Sequence, residues 1–322
     1  MNSRNYAIDV LKFVCAVLVV FIHTTDWVFH QEFLPVTRCA VPCFFIISGY
    51  LLFDNERRTI EMSRLKRNIG HIGGIILWST LFYMFWDEFV CICNQGNIWI
   101  PSLTRLLKLI FLNVPLFGHQ LWYLFSYFYV LLIIWAVVKY NWWKWLFYAV
   151  PILLMPHIVL LLSGREVSIY LVRNFLFLGL PFFAIGAMLK SMGIGGGRYK
   201  LKKYNKVLLA GFVVLSLVAL LERICLLSVG KCAVRELYLS SIVAAICLFF
   251  VALSFKSNQK CRLSVWGEKY SLYIYIFHPV FVYCCKALLK GTILFAGYTY
   301  VAPVVVLLLT MLFVRLLLLV RG

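Results

Sequence analysis

Stretches of about twenty mostly apolar residues recur along the whole chain, and each is long enough to cross a bilayer as one α-helix. Of the 322 residues, 63% are hydrophobic and 13% are charged, whereas soluble domains carry roughly 25% charged residues. The sequence therefore predicts an all-α, polytopic membrane protein with about ten transmembrane helices, forming a single membrane domain over residues 1–322. The predicted spans are residues 10–28, 36–53, 69–86, 119–138, 145–162, 171–189, 207–228, 237–255, 271–289 and 299–320.

The net charge of +19 is concentrated in alternate loops. Lys and Arg are abundant in residues 54–68, 190–206 and 256–269, and the intervening loops hold fewer, apart from Lys231 and Arg235 in one of them. This alternation predicts that both termini are cytoplasmic. It favours the lipid bilayer, and not nucleic acid, as the partner of these cations. We therefore expect a multi-pass protein of a cell membrane, the bacterial inner or plasma membrane.

Two segments outside the spans have recognisable compositions. Segment 87–118 contains an apolar stretch too short to span, which is typical of a re-entrant or interfacial helix near the outer face. Its Cys91 and Cys93 have no second pair of ligands of the kind found in metal sites, so we expect no metal. Segment 193–206 combines a glycine turn with a basic strip, which is typical of an anchor on anionic lipid.

The first predicted span carries two ionisable residues, Lys12 and His23. Ionisable groups within a span are costly to bury and by default mark a functional site. Eleven residues separate the two, which is close to three helical turns, so they lie on nearly the same face, about 16 Å apart along the axis. Such a stripe could line a tunnel from one side of the membrane to the other.

Three polar residues at the outer side predict acid–base chemistry. His23 has Asp26 three residues further on, within pairing reach, and this pair is a plausible general base for a hydroxyl group. The alternative is a histidine bonded to a backbone carbonyl within the bundle. Arg38 enters the second span at a similar depth, where it could stabilise an oxyanion or instead extend to the interface.

Several segments in series resemble the acyltransferase-3 family of membrane acyltransferases. The first is IDVLKFVCAVLVVFIHT, and the second is TRCAVPCFFIISGYLLF. The later ones are SRLKRNIGHIGGIILWSTLFY, HQLWYLFSYFYVLLI, RNFLFLGLPFFAIGAML and YSLYIYIFHPVF. Their order and spacing match the family along nearly the whole chain.

The resemblance implies transfer of an acyl group, usually acetyl, from cytoplasmic acetyl-CoA to a hydroxyl of a surface or exported glycan such as an exopolysaccharide. The family's hallmark is an arginine, ten residues and then a histidine; here the histidine is His23, and Lys12 stands at the arginine position. Lysine keeps the charge but loses the planar fork that binds phosphate through two bonds. Lys12, Lys66 and Arg67 are the predicted ligands of the CoA phosphates, although Asp9 could pair with Lys12 instead. A covalent acyl-His23 intermediate and base catalysis by His23 both fit this chemistry.

Two further histidines have settings of interest. His119 lies beside Trp122 and Tyr123, which could stack on an acceptor sugar or belong to an interfacial aromatic belt. His278 precedes Pro279, which lacks a backbone N–H and so leaves one helical carbonyl without its donor. His278 is expected to form a hydrogen bond with the backbone there.

Other functions are consistent with the same residues. The membrane domains of some membrane-bound serine racemases resemble this family and are thought to import an amino acid, so a transporter of a small solute is the main alternative. A carrier that passes acetyl to a separate transferase domain is a third possibility.

Overall fold

The computed structural model describes residues 5–95, 102–163, 168–195, 201–231, 235–255, 257 and 259–320. The predicted glycine turn at 193–197 and the predicted cytoplasmic cations Arg198, Lys200 and Lys256 lie wholly or partly outside these residues. The α-helices are α1 (Tyr6–His23), α2 (His30–Thr37), α3 (Ala40–Leu52), α4 (Met62–Gln95), α5 (Leu103–Leu112), α6 (Trp122–Tyr140), α7 (Trp143–Ser163), α8 (Leu180–Ser191), α9 (Asn205–Ser228), α10 (Leu239–Ser254), α11 (Arg262–Lys269), α12 (Ser271–Leu289) and α13 (Leu294–Val320).

The described residues confirm an all-α polytopic membrane protein. They include eight helical segments that are long and apolar enough to cross a membrane. Two shorter apolar helices, Phe175–Ser191 and Leu239–Ser254, coincide with the predicted spans 171–189 and 237–255. The number of crossings and the cytoplasmic position of the termini stay predictions.

The boundary between the first two spans differs from the prediction. Helix α1 ends at His23, five residues before the predicted end at residue 28. The hydroxyl of Thr24 donates to the carbonyl oxygen of Val20 at 2.7 Å, and a turn follows before α2 begins at His30. Trp27 and Val28 lie in this turn and make its end apolar, so composition alone extends the predicted span past His23. Asp26 therefore lies in a turn and not on the helical face expected for it.

The outer segment also differs from the prediction in part. Helix α4 is 34 residues long, and Cys91 and Cys93 lie within it and not in a loop. A short helix, α5, lies within the segment expected to hold a re-entrant or interfacial helix, and it has no buried residues. Its position relative to the membrane surface stays a prediction. The Ser102 side chain caps its first turn, and Asn113 ends it in the left-handed conformation, as is usual for helix termini.

The chain divides into two compact units, Met1–Phe44 with Gly197–Gly322, and Phe45–Gly196. In the first unit, α1 packs against α2, α10, α11, α12 and α13. A buried apolar cluster of this unit includes Phe13, Ala16, Val20 and Ile274. The backbone of α11 approaches α1 so closely at Gly267 that an added Cβ atom would lie 1.6 Å from the carbonyl oxygen of Asp9.

In the second unit, α3 and α8 meet backbone to backbone through two glycines. A Cβ atom on Gly49 would lie 2.0 Å from the carbonyl oxygen of Phe183, and one on Gly186 would lie 2.0 Å from that of Ile46. Small residues allow such contacts between membrane helices.

Replacing Gly186 with alanine is expected to destabilise the protein by about 1–3 kcal/mol, because the methyl group would push two helix backbones apart. The measurement is the thermal unfolding midpoint of the purified protein in detergent. Gly74→Ala is the matched control, since an added Cβ there meets nothing within 4 Å. Equal midpoints for the two variants would contradict the proposed backbone contact.

Candidate active site

The first unit brings two histidine rings together. His23 is the last residue of α1 and is half-buried. The ring of His278, on α12, lies with its centroid 5.0 Å from that of His23, and the two planes are inclined by 52°. Each of the two histidines stands out in the sequence, but their separation of 255 positions gives no sign that they meet.

The hydrogen bond made by His278 fixes which ring nitrogen carries its proton. The side chain is fully buried, and its Nδ1 lies 2.9 Å from the carbonyl oxygen of Ile274. Because a carbonyl can only accept, Nδ1 donates, and a neutral ring then carries a lone pair on Nε2. Nε2 has no hydrogen-bond partner among the described residues. The expected hydrogen bond from His278 to the backbone is therefore present, but it involves only one of the two ring nitrogens.

Asp26 makes a different ion pair from the one predicted. Its Oδ1 lies 2.8 Å from the Nζ of Lys286, on α12, whereas the sequence placed this carboxylate beside His23. Oδ2 is buried and has no hydrogen-bond partner in the described part of the chain. Lys286 was not predicted, because it lies 260 positions away from Asp26.

Lys12 pairs with Asp9, as one of the two sequence interpretations proposed. The Nζ of Lys12 lies 3.0 Å from Oδ1 of Asp9, and the lysine side chain remains 26% exposed. Helix α1 is unbroken from Tyr6 to His23, so Lys12 and His23 keep the axial separation of about 16 Å expected of an α-helix.

Arg38 is buried and does not extend to an interface. Its Nη1 lies 3.1 Å from Oε2 of Glu236, and both side chains are less than a tenth exposed. The arginine Nε has no hydrogen-bond partner among the residues that are described. Glu236 was not predicted, because the sequence contains no signal that links it to a residue 198 positions earlier.

The second unit holds the residues predicted to bind the acceptor. Arg105 Nη2 donates to Nε2 of His119 at 3.3 Å. The ring of Trp122 is buried and packs against the guanidinium of Arg173, 5.2 Å from its centroid. Tyr123 stacks on Tyr127, with centroids 6.2 Å apart. Trp122 therefore does not present the exposed face that stacking on a sugar would require.

The two remaining predicted donor-site residues, Lys66 and Arg67, are exposed near the start of α4. They belong to the second unit, whereas Lys12 belongs to the first. Their shared role at the CoA phosphates stays a prediction.

Comparison with known proteins places the chain in a family. The acyltransferase-3 model, described as an acyltransferase domain, matches residues 5–320. An amino-acid racemase from Enterococcus faecalis is 33% identical over 132 residues, which are 38% of this chain and 18% of that protein. The chain thus matches about a fifth of the length of this curated relative. No solved structure matches it.

The family match extends over every described helix, including α1 with His23 and α12 with His278. The helical, membrane-spanning architecture agrees with it. The chain therefore belongs to the acyltransferase-3 family of membrane acyltransferases.

Proposed function

We propose that this protein is a membrane O-acyltransferase that moves an acetyl group from cytoplasmic acetyl-CoA to a hydroxyl of a surface or exported glycan. The observation that carries the proposal is the unbroken helix α1, with Lys12 in its N-terminal half and His23 at its C-terminal end. Their separation of about 16 Å is of the same order as an extended pantetheine arm. A donor held by its phosphates near Lys12 could then present its thioester to His23.

Transfer of an acyl group requires a group that reacts at the acyl carbon or removes the hydroxyl proton. The imidazole of His23 can do either, because imidazole serves both as a general base and as a nucleophile. Asp26, which pairs with Lys286, lies three residues after His23 in the sequence. It is on the side from which the proposed acceptor would approach. The charges of this pair suit hydrogen bonding to sugar hydroxyls.

The similarity to the amino-acid racemase does not favour the transporter alternative, because it covers only 38% of this chain and 18% of that protein. The two functions differ in a measurable product. We expect mass spectrometry of surface glycans to find acetyl esters in cells that contain the protein. Cells that lack it should lose these esters, and a plasmid copy should restore them. Unchanged glycan acetylation together with loss of amino-acid uptake would instead support the transporter.

The donor site is tested at Lys12. Lys12→Ala should weaken binding of acetyl-CoA to the purified protein by about 10-fold or more, because one charge-assisted hydrogen bond to phosphate is worth about 1.5–3 kcal/mol. Lys12→Arg should keep most of the affinity, since it keeps the charge and restores the planar fork. Isothermal titration calorimetry in detergent measures both.

A matched control for Lys12 is Lys139, near the end of α6, whose ammonium group packs against the rings of Trp135 and Tyr140. Lys139→Ala is expected to leave the affinity for acetyl-CoA unchanged. Equal affinities of the Lys12→Ala and wild-type proteins would remove Lys12 from the donor site.

A further inference from the structure

The proposed function uses one imidazole, but the first unit places a second one beside it. His278 is fully buried, and its ring centroid lies 5.0 Å from that of His23. At this spacing, a small group bound beside one ring is within reach of the other.

The unused nitrogen of His278 is chemically defined. Nδ1 donates to the carbonyl of Ile274 at 2.9 Å, so Nε2 carries the lone pair of the neutral ring. This buried lone pair has no hydrogen-bond partner among the described residues. Leaving a buried acceptor unsatisfied is costly, and such an orphan at a functional site indicates a missing donor.

The missing donor must carry a hydrogen, and this requirement separates the two substrates. A thioester has no O–H or N–H at its reacting end, whereas the glycan hydroxyl has one. The two rings can therefore divide the reaction, with the acyl carbon at His23 and the hydroxyl at His278.

We propose that His278 is a catalytic residue that accepts the proton of the glycan hydroxyl while His23 carries the acyl group. This inference rests on the proposed acyltransferase function and deepens it. It assigns a two-step transfer, in which one histidine acts as nucleophile and the other as base.

The steps balance without an external acid or base. In the first step, a nitrogen of neutral His23 attacks the thioester carbon, the C–S bond breaks, and the N–H proton of His23 goes to the CoA thiolate. In the second, the hydroxyl oxygen attacks the acyl carbon and its proton goes to Nε2 of His278. The C–N bond breaks, and its electron pair returns to His23 as an imidazolide. His278 then passes the proton to His23, and both rings are neutral again.

The burial of His278 fits this scheme. Acyl-imidazoles react with water, and a buried base beside His23 favours the bound hydroxyl over solvent, because a water-excluding site suppresses hydrolysis of reactive intermediates.

The test separates the two steps in the purified full-length protein. Exchange of labelled CoA into acetyl-CoA without an acceptor reports the first step and is a signature of a covalent intermediate. Transfer of labelled acetyl to chemically de-O-acetylated host polysaccharide reports both steps. His278→Asn is the main variant, because its amide can still donate to the Ile274 carbonyl but lacks a basic nitrogen.

We expect His278→Asn to keep exchange within a few-fold of wild type and to lose transfer by about 10²–10⁴-fold, as is usual for a lost base. Labelled acetyl should accumulate on His23, detectable by peptide mass spectrometry. His278→Gln should behave alike, because an amide near the Nε2 position accepts a hydrogen bond but not a proton. His23→Asn should lose both activities.

Different results overturn different claims. Any of three results would overturn the role of His278 as base. They are normal transfer in His278→Asn, rescue of transfer by His278→Gln, and equal loss of exchange and transfer in both folded variants. Wild-type transfer without exchange would overturn the covalent route and leave the acyltransferase function standing. A wild-type protein with neither activity would overturn the proposed function itself.

Discussion

His23→Ala is expected to abolish most acyl transfer while leaving the protein folded and able to bind acetyl-CoA. The imidazole is the group on α1 closest to where acyl and hydroxyl are proposed to meet, and losing a positioned base usually costs about 10²–10⁴-fold. As nucleophile, its loss would cost at least as much. The measurement is glycan acetylation by mass spectrometry, with acetyl-CoA affinity measured on the same preparation.

The control for this variant is His71→Ala, which removes an exposed histidine on α4 and should have no effect on transfer. Asp26→Asn should reduce transfer less than His23→Ala does, because its carboxylate pairs with Lys286 and does not react. Near-normal acetylation by a well-expressed His23→Ala protein would refute the catalytic role of His23.

Arg38→Ala is expected to destabilise the protein by about 3–5 kcal/mol, because it leaves Glu236 as a buried charge without its partner. The ion pair of 3.1 Å is almost completely buried, so solvent does little to screen the orphaned carboxylate. The thermal unfolding midpoint in detergent should fall sharply. Arg57→Ala is the control, since Arg57 forms ion pairs with Asp54 and Glu61 but is 60% exposed. Exposed pairs contribute about 0–1 kcal/mol.

A second comparison separates stability from catalysis at this position. Replacing both Arg38 and Glu236 with methionine removes the buried charges together, and such replacements are often neutral or stabilising. If Arg38 also stabilises an oxyanion, the double variant should regain the wild-type unfolding midpoint but not wild-type turnover. Recovery of both would contradict the oxyanion role.

The features that sequence analysis predicted correctly depend on local chemistry. Apolar stretches located the helices because the bilayer imposes a length of about 20 residues on each span. The Lys12–Asp9 pair was foreseen because residues three apart on a helix are neighbours.

The features that were missed depend on contacts between distant segments. Three contacting pairs are each separated by about two hundred residues or more: Asp26 and Lys286, Arg38 and Glu236, and His23 and His278. Hydropathy carries no information on which helices meet. The end of α1 was misplaced because Trp27 and Val28 extend the apolar run, although the chain has already turned at Thr24.

Because α1 runs unbroken from Tyr6 to His23, its aligned peptide groups give it a macrodipole with the positive end at the N-terminus and the negative end at the C-terminus. His23 is the last residue of that helix, so α1 favours the positive charge that this ring acquires when its nitrogen attacks the thioester carbon. The first turn of α1 lies at the other end, where the same field favours anions such as the phosphates of the proposed donor. In the proposed reaction, this one unbroken helix orders the donor and the reacting histidine by charge, and a kink introduced between Lys12 and His23 should impair both ends at once.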